Sequence, residues 1–485
     1  MLPTNDKRSR DGSQTTMPHT LRSFLESIDN RVLHIHDPVD PVNQVGILSS
    51  EARGPFMLHN MPGFPGWRLT DILIKDRHGQ AAALGLDNIK DVCPTLAARM
   101  ANGYRRAKMV KDGPVKEVKK IGKDADIRAL PIPVHSHGDA GRYLGSGLTI
   151  TKDPDTKVRN YSIIRTMLTD DPRKCAFWMA ARHSWAHYLK YSAKNEKMPM
   201  AFAIGMHPVY EILANWSGRH EDFDELEYGA AVLGEDIEMV QCETIDMEVP
   251  AHAEVVIEGL VHPSDRLQEG PFGEFTNYGS GAEGPAPVFE VTAITHRKDP
   301  IFRHMQSTWF TDHQPLITLP MEAAYFNRLK ETHGNTRIID VFVPPWAAQF
   351  IMIVQMEARW DGTARDVLLS ALSGPNLHVK TVIAVDEDVD IYNAEEVLWA
   401  IATRVDPAKD VIVIPHERLH PLDISIPEMG RDVTVMRIGG KMAIDATKPP
   451  LWRGKERARF TRVDPMGRRD PALAKLIELV RSPRG

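Results

Sequence analysis

Cysteine is scarce in this 485-residue chain: Cys93, Cys175 and Cys242 stand far apart and are odd in number. That argues against a disulfide framework and a cysteine-bound zinc cluster, and fits a reducing compartment. No stretch approaches the roughly eighteen apolar residues that a membrane-spanning helix needs. The opening residues, MLPTNDKRSRDGSQTTMPHT, are polar with no apolar run behind them. Neither a signal peptide nor a membrane anchor is expected, and the expected location is the cytoplasm. Basic charge is not in excess, and a net charge of −6 offers no footprint for nucleic acid. Phosphate-cradling glycine motifs are also missing. No G-x-G-x-x-G follows a strand, GRYLGSG at 141–147 has the wrong spacing, and G-x-x-x-x-G-K-[ST] does not occur.

What is present is the composition of an ordinary globular protein, 42% hydrophobic and 26% charged, long enough for two or three domains. After an expected disordered stretch over 1–18, LRSFLESIDN has helical spacing and RVLHIHDPV alternates like a strand. RLTDILIK reads as a strand and TLAARMANGYRRA as a helix. A long helical pattern is centred on AFWMAARHSWAHYLKYSAKNE. Short β-branched runs (EMVQCETIDMEVP, EVVIEGLV, VFEVTAITHR) surround it and predict a curved sheet or barrel. LPMEAAYFNRLKETHG is a helix ending in glycine. Beyond it, strand-like and helix-like segments alternate from RIIDVFVPPW to DVIVIP, as in an α/β domain, and DPALAKLIELVRS is an amphipathic tail.

EGPFGEF, residues 269–275, sets Glu269 and Glu274 on either side of a stiff turn. By itself it reads as a surface turn with solvated acids, although such a turn can also aim two carboxylates into one pocket. DEDVD at 386–390 starts like a calcium loop but carries Ile391 where glycine is required and Val397 where glutamate is. Its expected state is solvated acids at a strand end. His183 and His187, four apart on a helix, can share a metal or be partly buried structural histidines. Asp224, Glu225 and Glu227 in DELEYGA are hard-metal ligands or a solvated helix start. In NYSIIR, Asn160 and Arg165 fall on opposite faces of a regular strand, so serving one site requires a bend or bulge between them.

As a set, NYSIIR (160–165), RHSWAHY (182–188), DELEYGAAVLGE (224–235), EVVIEGLV…EGPFGEF (254–275), VDEDVDIYNAEEVLWAIATR (385–404) and GGKMAIDATKP (439–449) resemble the UbiD family of prenylated-FMN-dependent decarboxylases. The similarity runs from about residue 20 to 460, with the motifs in the family's order.

The resemblance implies an α+β and α/β architecture. Its parts are an N-terminal α/β portion over 19–120, a split β-barrel binding prenylated FMN over 121–316, and a linker helix over 317–334. A C-terminal α/β oligomerisation domain over 335–460 and a helical tail over 461–485 complete it. It places a divalent ion, usually Mn²⁺, on Asn160, His183 and Glu225, with K⁺ nearby on backbone carbonyls. Ser162, Ile163 and Arg182 join those three around the cofactor. Arg165 holds the substrate carboxylate, Glu269 orients Arg165 and Glu274 delivers the proton that replaces CO₂, the substrate being carried as a covalent adduct of the flavin. Phe275 and Ile338 fall at the substrate pocket and favour an aromatic or heteroaromatic monoacid over a diacid. Relatives acting on phenolic acids can lack the Glu–Arg–Glu set. Its presence argues against that branch without excluding a hydroxylated substrate. A flavin prenyltransferase supplies the cofactor, and the assembly is a homodimer or homohexamer. The alternatives are a metal-dependent hydrolase without flavin, or a flavin-binding protein without catalysis.

Overall fold

The computed structural model describes residues 19–463 apart from 181, 217–223, 280–282, 310 and 427–436, together with 473, 476 and 477. The expected disorder over 1–18 and most of the expected tail helix lie outside the described residues.

The chain enters through a capping box. Thr20 accepts from the Ser23 amide, Ser23 Oγ accepts from Thr20 N, and helix Leu21–Ser27 buries Leu21, Phe24 and Leu25. Strands Leu33–Ile35, Phe56–Leu58 and Arg68–Asp71 then form a four-stranded sheet with Ile301–Arg303, which arrives much later in the chain.

The central layer is a nine-stranded sheet. Its strands are β1 (Val118–Ile121), β2 (Tyr143–Leu144), β3 (Leu148–Lys152), β4 (Arg159–Ile163), β5 (Thr166–Leu168), β6 (Lys174–Phe177), β7 (Met198–Ile204), β8 (Val255–Glu269) and β9 (Gly284–His296). The order is β2-β5-β6-β9-β8-β7-β3-β4, with β1 added to β9. Strands β4 and β5 therefore sit near opposite ends of this order, yet only Ile164 and Arg165 separate them in the chain. So short a connection requires the sheet to curl until its ends meet. Because β4 and β5 do not pair, the barrel remains split at that seam. Phe177, Phe202, Ile204, Ile257 and Phe289 pack within one core of this layer. Strand β8 bends at register shifts after Glu258 and after Val261. At the first shift a β-carbon on Gly259 would stand 2.3 Å from the Glu290 carbonyl oxygen, so glycine lets the strands close.

The helix expected around AFWMAARHSWAHYLKYSAKNE occupies only its second half, as α1 (His183–Ala193). Cys175, Ala176 and Phe177 are buried between β5 and β9, and sheet pairing there outweighs the helical spacing. Helix α2 (Glu225–Leu233) follows, capped by Asp224, and α3 (His313–Thr332) leads out of the barrel layer.

The C-terminal layer has strands β10 (Arg337–Phe342), β11 (Ile351–Glu357), β12 (Thr381–Val385), β13 (Val411–Leu419) and β14 (Arg437–Asp445), in the order β10-β11-β12-β14-β13. The inner pairs are parallel and the two edge pairs antiparallel. Helix α4 (Thr363–Leu372) packs with Met352, Val354 and Val382, while α5 (Ala394–Arg404) packs with Ile353, Ile383 and Val385. Alternate residues of the inner strands thus serve opposite faces, as a parallel sheet covered on both sides requires. The acids of DEDVD are not all solvated. Asp386 is fully buried because Arg404 and Arg457 converge on it, and Asp388 pairs with Arg404 and Lys448. Among the described residues no helix is long and apolar enough to cross a membrane.

Candidate active site

Arg165 lies at the barrel seam. Strand β4 stops at Ile163, so the alternation that would turn Arg165 away from Asn160 ends before Arg165 is reached. Within reach of Arg165, the central strand β8 ends at Glu269 and Gly270 turns the chain with φ +85°. The turn is fastened from several sides. Asp139 accepts from the amides of Gly273 and Ser136, both at 2.7 Å, and Ala140 N donates to the Pro271 carbonyl at 2.9 Å. Phe272 is buried against Tyr143, with ring centres 4.4 Å apart. EGPFGEF is therefore not an exposed turn.

Its two acids meet one cation. Glu269 receives Arg165 Nε and Nη2 at 3.1 Å each, a bidentate pair, and Glu274 receives Arg165 Nη1. The guanidinium also lies 5.0 Å from the centre of the Phe272 ring. Glu269 is 0% exposed and Glu274 9%. Burial raises the Glu274 pKa; Arg165 opposes the shift, and the charges of Glu269 and Asp139 add to it. Burial likewise raises Glu269 against the pull of Arg165. For Arg165 burial works against the charge, but the two carboxylates outweigh it and its pKa is raised. The cluster is one fixed cation beside two acids that resist ionisation.

Asn160 and His183 lie side by side, with Asn160 Oδ1 3.2 Å from His183 Nδ1. Ser184 fixes the amide: it accepts from Asn160 Nδ2 at 2.9 Å, which turns Oδ1 toward His183. Ser184 also contacts Ser162 and Thr151, and Thr151 reaches the buried His187. Glu225 is buried and accepts from the amide of Tyr161, the residue after Asn160, at 2.8 Å. Burial holds its carboxyl well above the usual range. No cationic side chain bonds Glu225 among the described residues, so a bound cation would stabilise its charged form. No group of three or more His, Cys, Asp or Glu suited to a metal occurs among the described residues. The donor set expected from the sequence is instead an amide oxygen, one imidazole and one carboxylate. Arg182 stands at the N-cap of α1 without making a side-chain cap bond, so among the described residues the first amides of that helix keep unpaired donors for an anion. Ser162 and Ile163 are half-buried at the end of β4.

Phe275 is buried with its ring toward the C-terminal layer, 6.0 Å from Phe350 and 5.9 Å from His420. Ile338 is buried in the core with Leu329, Val341 and Met356, and no contact with Phe275 or the carboxylates is found among the described residues. Sequence reasoning missed Asp139, Tyr143 and Ser184. Ser184 could have been flagged as the neighbour of His183, whereas nothing local marks Asp139, which acts across 134 positions. A separate cleft of about 630 Å³, lined in part by His19, Phe24, Arg99 and His207, contains none of the groups above.

The family model for the 3-octaprenyl-4-hydroxybenzoate carboxy-lyase Rift-related domain matches residues 108–321. The model for the C-terminal domain of the same carboxy-lyase matches 314–446. Among solved structures, the UbiD-class enzyme HmfF from Pelotomaculum thermopropionicum, in complex with FMN, is 31% identical with a TM-score of 0.84. The match covers 95% of this chain and 100% of that one. An evolved dimeric form of HmfF, in complex with prFMN, is 30% identical over 94% of this chain and 98% of that one, with a TM-score of 0.81. The 3,4-dihydroxybenzoic acid decarboxylase AroY of Klebsiella pneumoniae is 25% identical over 93% and 98% of the two chains, with a TM-score of 0.82.

Proposed function

The chain belongs to the UbiD family of carboxy-lyases, and from that premise we propose that it decarboxylates an aromatic or heteroaromatic monoacid, reversibly and without net oxidation, with prenylated FMN bound. The observation that carries the reading is Arg165 held between Glu269 and Glu274 in a buried seam. Glu269 occupies two donors of the guanidinium and fixes its plane. The Nη1 donor that now reaches Glu274 is the one a substrate carboxylate would take, which frees Glu274 to face the carbon losing CO₂. Glu274, reluctant to ionise, carries the proton that replaces CO₂. When bound, the prenylated flavin supplies the sink for charge left on that carbon, chemistry no side chain offers.

Asn160, His183 and Glu225 would hold Mn²⁺ or a similar ion, and the unpaired amides opening α1 would hold the flavin phosphate, with Ser162, Ile163 and Arg182 beside it. K⁺ would sit on nearby carbonyls. The FMN and prFMN complexes of HmfF support the cofactor class, and the dihydroxybenzoic acid decarboxylase supports an aromatic acid. We assign oligomerisation, as a homodimer or homohexamer, to the C-terminal layer.

The test is co-expression with a flavin prenyltransferase, followed by the visible spectrum of the purified protein and CO₂ release from a panel of aromatic acids. A modified flavin with turnover is expected. Failure to bind it together with failure to turn over any acid would refute the reading, and hydrolysis supported by metal alone would replace it.

A further inference from the structure

We propose that two stacked imidazoles of the C-terminal layer, His378 and His420, form a subsite that reads a hydroxyl group on the ring of the acid, an inference that rests on the decarboxylase reading above. His378 precedes β12 and His420 directly follows β13. Their ring centres are 3.9 Å apart with 25° between the planes. They lie 5.8 and 5.9 Å from the ring of Phe275, the residue after Glu274. The charge of Arg182, next to His183, also acts on both rings. The pair is therefore a neighbour of the turn that carries Glu274 and lies within electrostatic reach of Arg182. Arg182 is itself exposed.

The hydrogen bonds set the tautomer of each ring. Asn376 Oδ1 accepts from the backbone N of His378 at 3.0 Å, which identifies it as the oxygen, and lies 2.7 Å from His378 Nδ1. His378 Nδ1 therefore carries the proton, and its Nε2 is left as an acceptor. His420 Nδ1 accepts from the amide of Leu422 at 3.2 Å, so in the neutral ring its Nε2 carries the proton and is a donor. Both rings are neutral: burial lowers the His378 pKa, with His420 and Arg182 adding to the effect, and burial with Arg182 lowers that of His420 to about 3. Neither Nε2 has a partner among the described residues.

One acceptor and one donor on adjacent neutral rings match a hydroxyl, which gives one hydrogen bond and takes another. A methoxy oxygen satisfies only His420, and a ring N–H satisfies only His378. A second carboxylate would set negative charge against the lone pair of His378. Each mismatch leaves a polar atom that the acid would cover without a partner, and this is how such a site discriminates.

The test uses the flavin-loaded enzyme and paired acids with and without a ring hydroxyl on benzene, indole and pyrrole frames, with methoxy and dicarboxylate counterparts. Equilibrium binding is measured by calorimetry and kcat/KM by CO₂ release. A hydroxylated acid should be preferred over its parent and its methoxy ether by about tenfold or more. His378→Leu and His420→Leu should each reduce that preference, with the parent acid bound as well as or better than by wild type. No preference in the wild-type enzyme, a preference for the methoxy or dicarboxylate form, or a preference that survives both substitutions would overturn the proposal. The wild-type comparison decides even where a variant fails to fold. Selective binding without turnover would retain the subsite and remove the decarboxylase reading, and turnover without selectivity would do the reverse.

Discussion

Glu274→Gln is the most direct perturbation of the proposed chemistry. Glutamine nearly matches glutamate in volume and keeps a carbonyl oxygen for Arg165 Nη1, but it has no proton to transfer. A positioned general acid contributes about 10²–10⁴ in rate, equivalent to about 3–5 kcal/mol of barrier. The 9% exposure of Glu274 leaves little room for water to take over, so the loss in kcat should fall within that range. The pH dependence follows from the shift. Burial raises the Glu274 pKa, so the proton-bearing form persists above the ordinary carboxylate range and is lost as pH rises through the raised value. A bound substrate carboxylate adds like charge and competes for Arg165, both of which raise it further. Turnover and acid affinity should both decline on that alkaline limb in the wild-type enzyme. The affinity of the variant should lose the dependence. The assay is CO₂ release and equilibrium binding across pH, with flavin content read from the visible spectrum. A variant turning over within roughly threefold of wild type, an unchanged alkaline limb in binding, or flavin loss as severe as that of Asn160→Ala would refute the assignment.

Asp139→Asn keeps one acceptor for the turn and removes a charge that raises the Glu274 pKa, so the alkaline limb should move to lower pH with flavin content unchanged; an immobile limb means the charge does not act there. Ser184→Ala frees the Asn160 amide and should lower Mn²⁺ and flavin retention by about tenfold or more, measured by metal analysis and absorbance, with little change in Tm. Glu211→Gln tests the buried cluster around Arg303. Burial raises the folded pKa of Glu211 from 4.5 to about 7, although Arg303 opposes it. The folded protein therefore binds this proton more tightly than the unfolded chain, and the contribution is present below 4.5 and lost as pH rises through about 7. The Tm of wild type relative to the variant should fall across that window, and a rise would contradict a protonated Glu211.

The strands around EVVIEGLV and VFEVTAITHR and the alternation beyond RIIDVFVPPW were legible because buried β-branched runs leave few other conformations open. The strand Lys174–Phe177 was not, since its identity depends on neighbours supplied by β5 and β9. The location of Arg165 was half legible. The need for a bend between Asn160 and Arg165 could be stated from the spacing, but the barrel seam that provides it is a property of strand order. The burial of EGPFGEF was invisible locally, because it is imposed by Asp139, Ala140 and Tyr143 from a distant loop and strand. The burial of Asp386 was missed for the same reason, since its cations come from α5 and from Arg457.

The same long-range contacts explain how a barrel seam and a separate α/β layer can serve one site. Helix α3 begins after Asp312, which accepts from the amides of Leu73 and Ile74 and from Arg303, while Arg303 also binds Asp71 and Glu211. All four side chains are buried, so the start of the helix is held by polar partners that lose their compensation if it shifts. At the second residue of that helix, Gln314 Nε2 donates to the carbonyl of Phe275 at 2.8 Å, directly beside Glu274. Beyond the helix lie Phe350, His378 and His420, which meet the Phe275 ring from the other side. The acid–base turn is therefore clamped by the barrel layer through Asp139 and by the helix through Gln314. The division of labour we propose follows this geometry: the charged groups assigned to a carboxylate and a proton belong to the seam, and the neutral rings assigned to the far edge of an aromatic acid belong to the C-terminal layer.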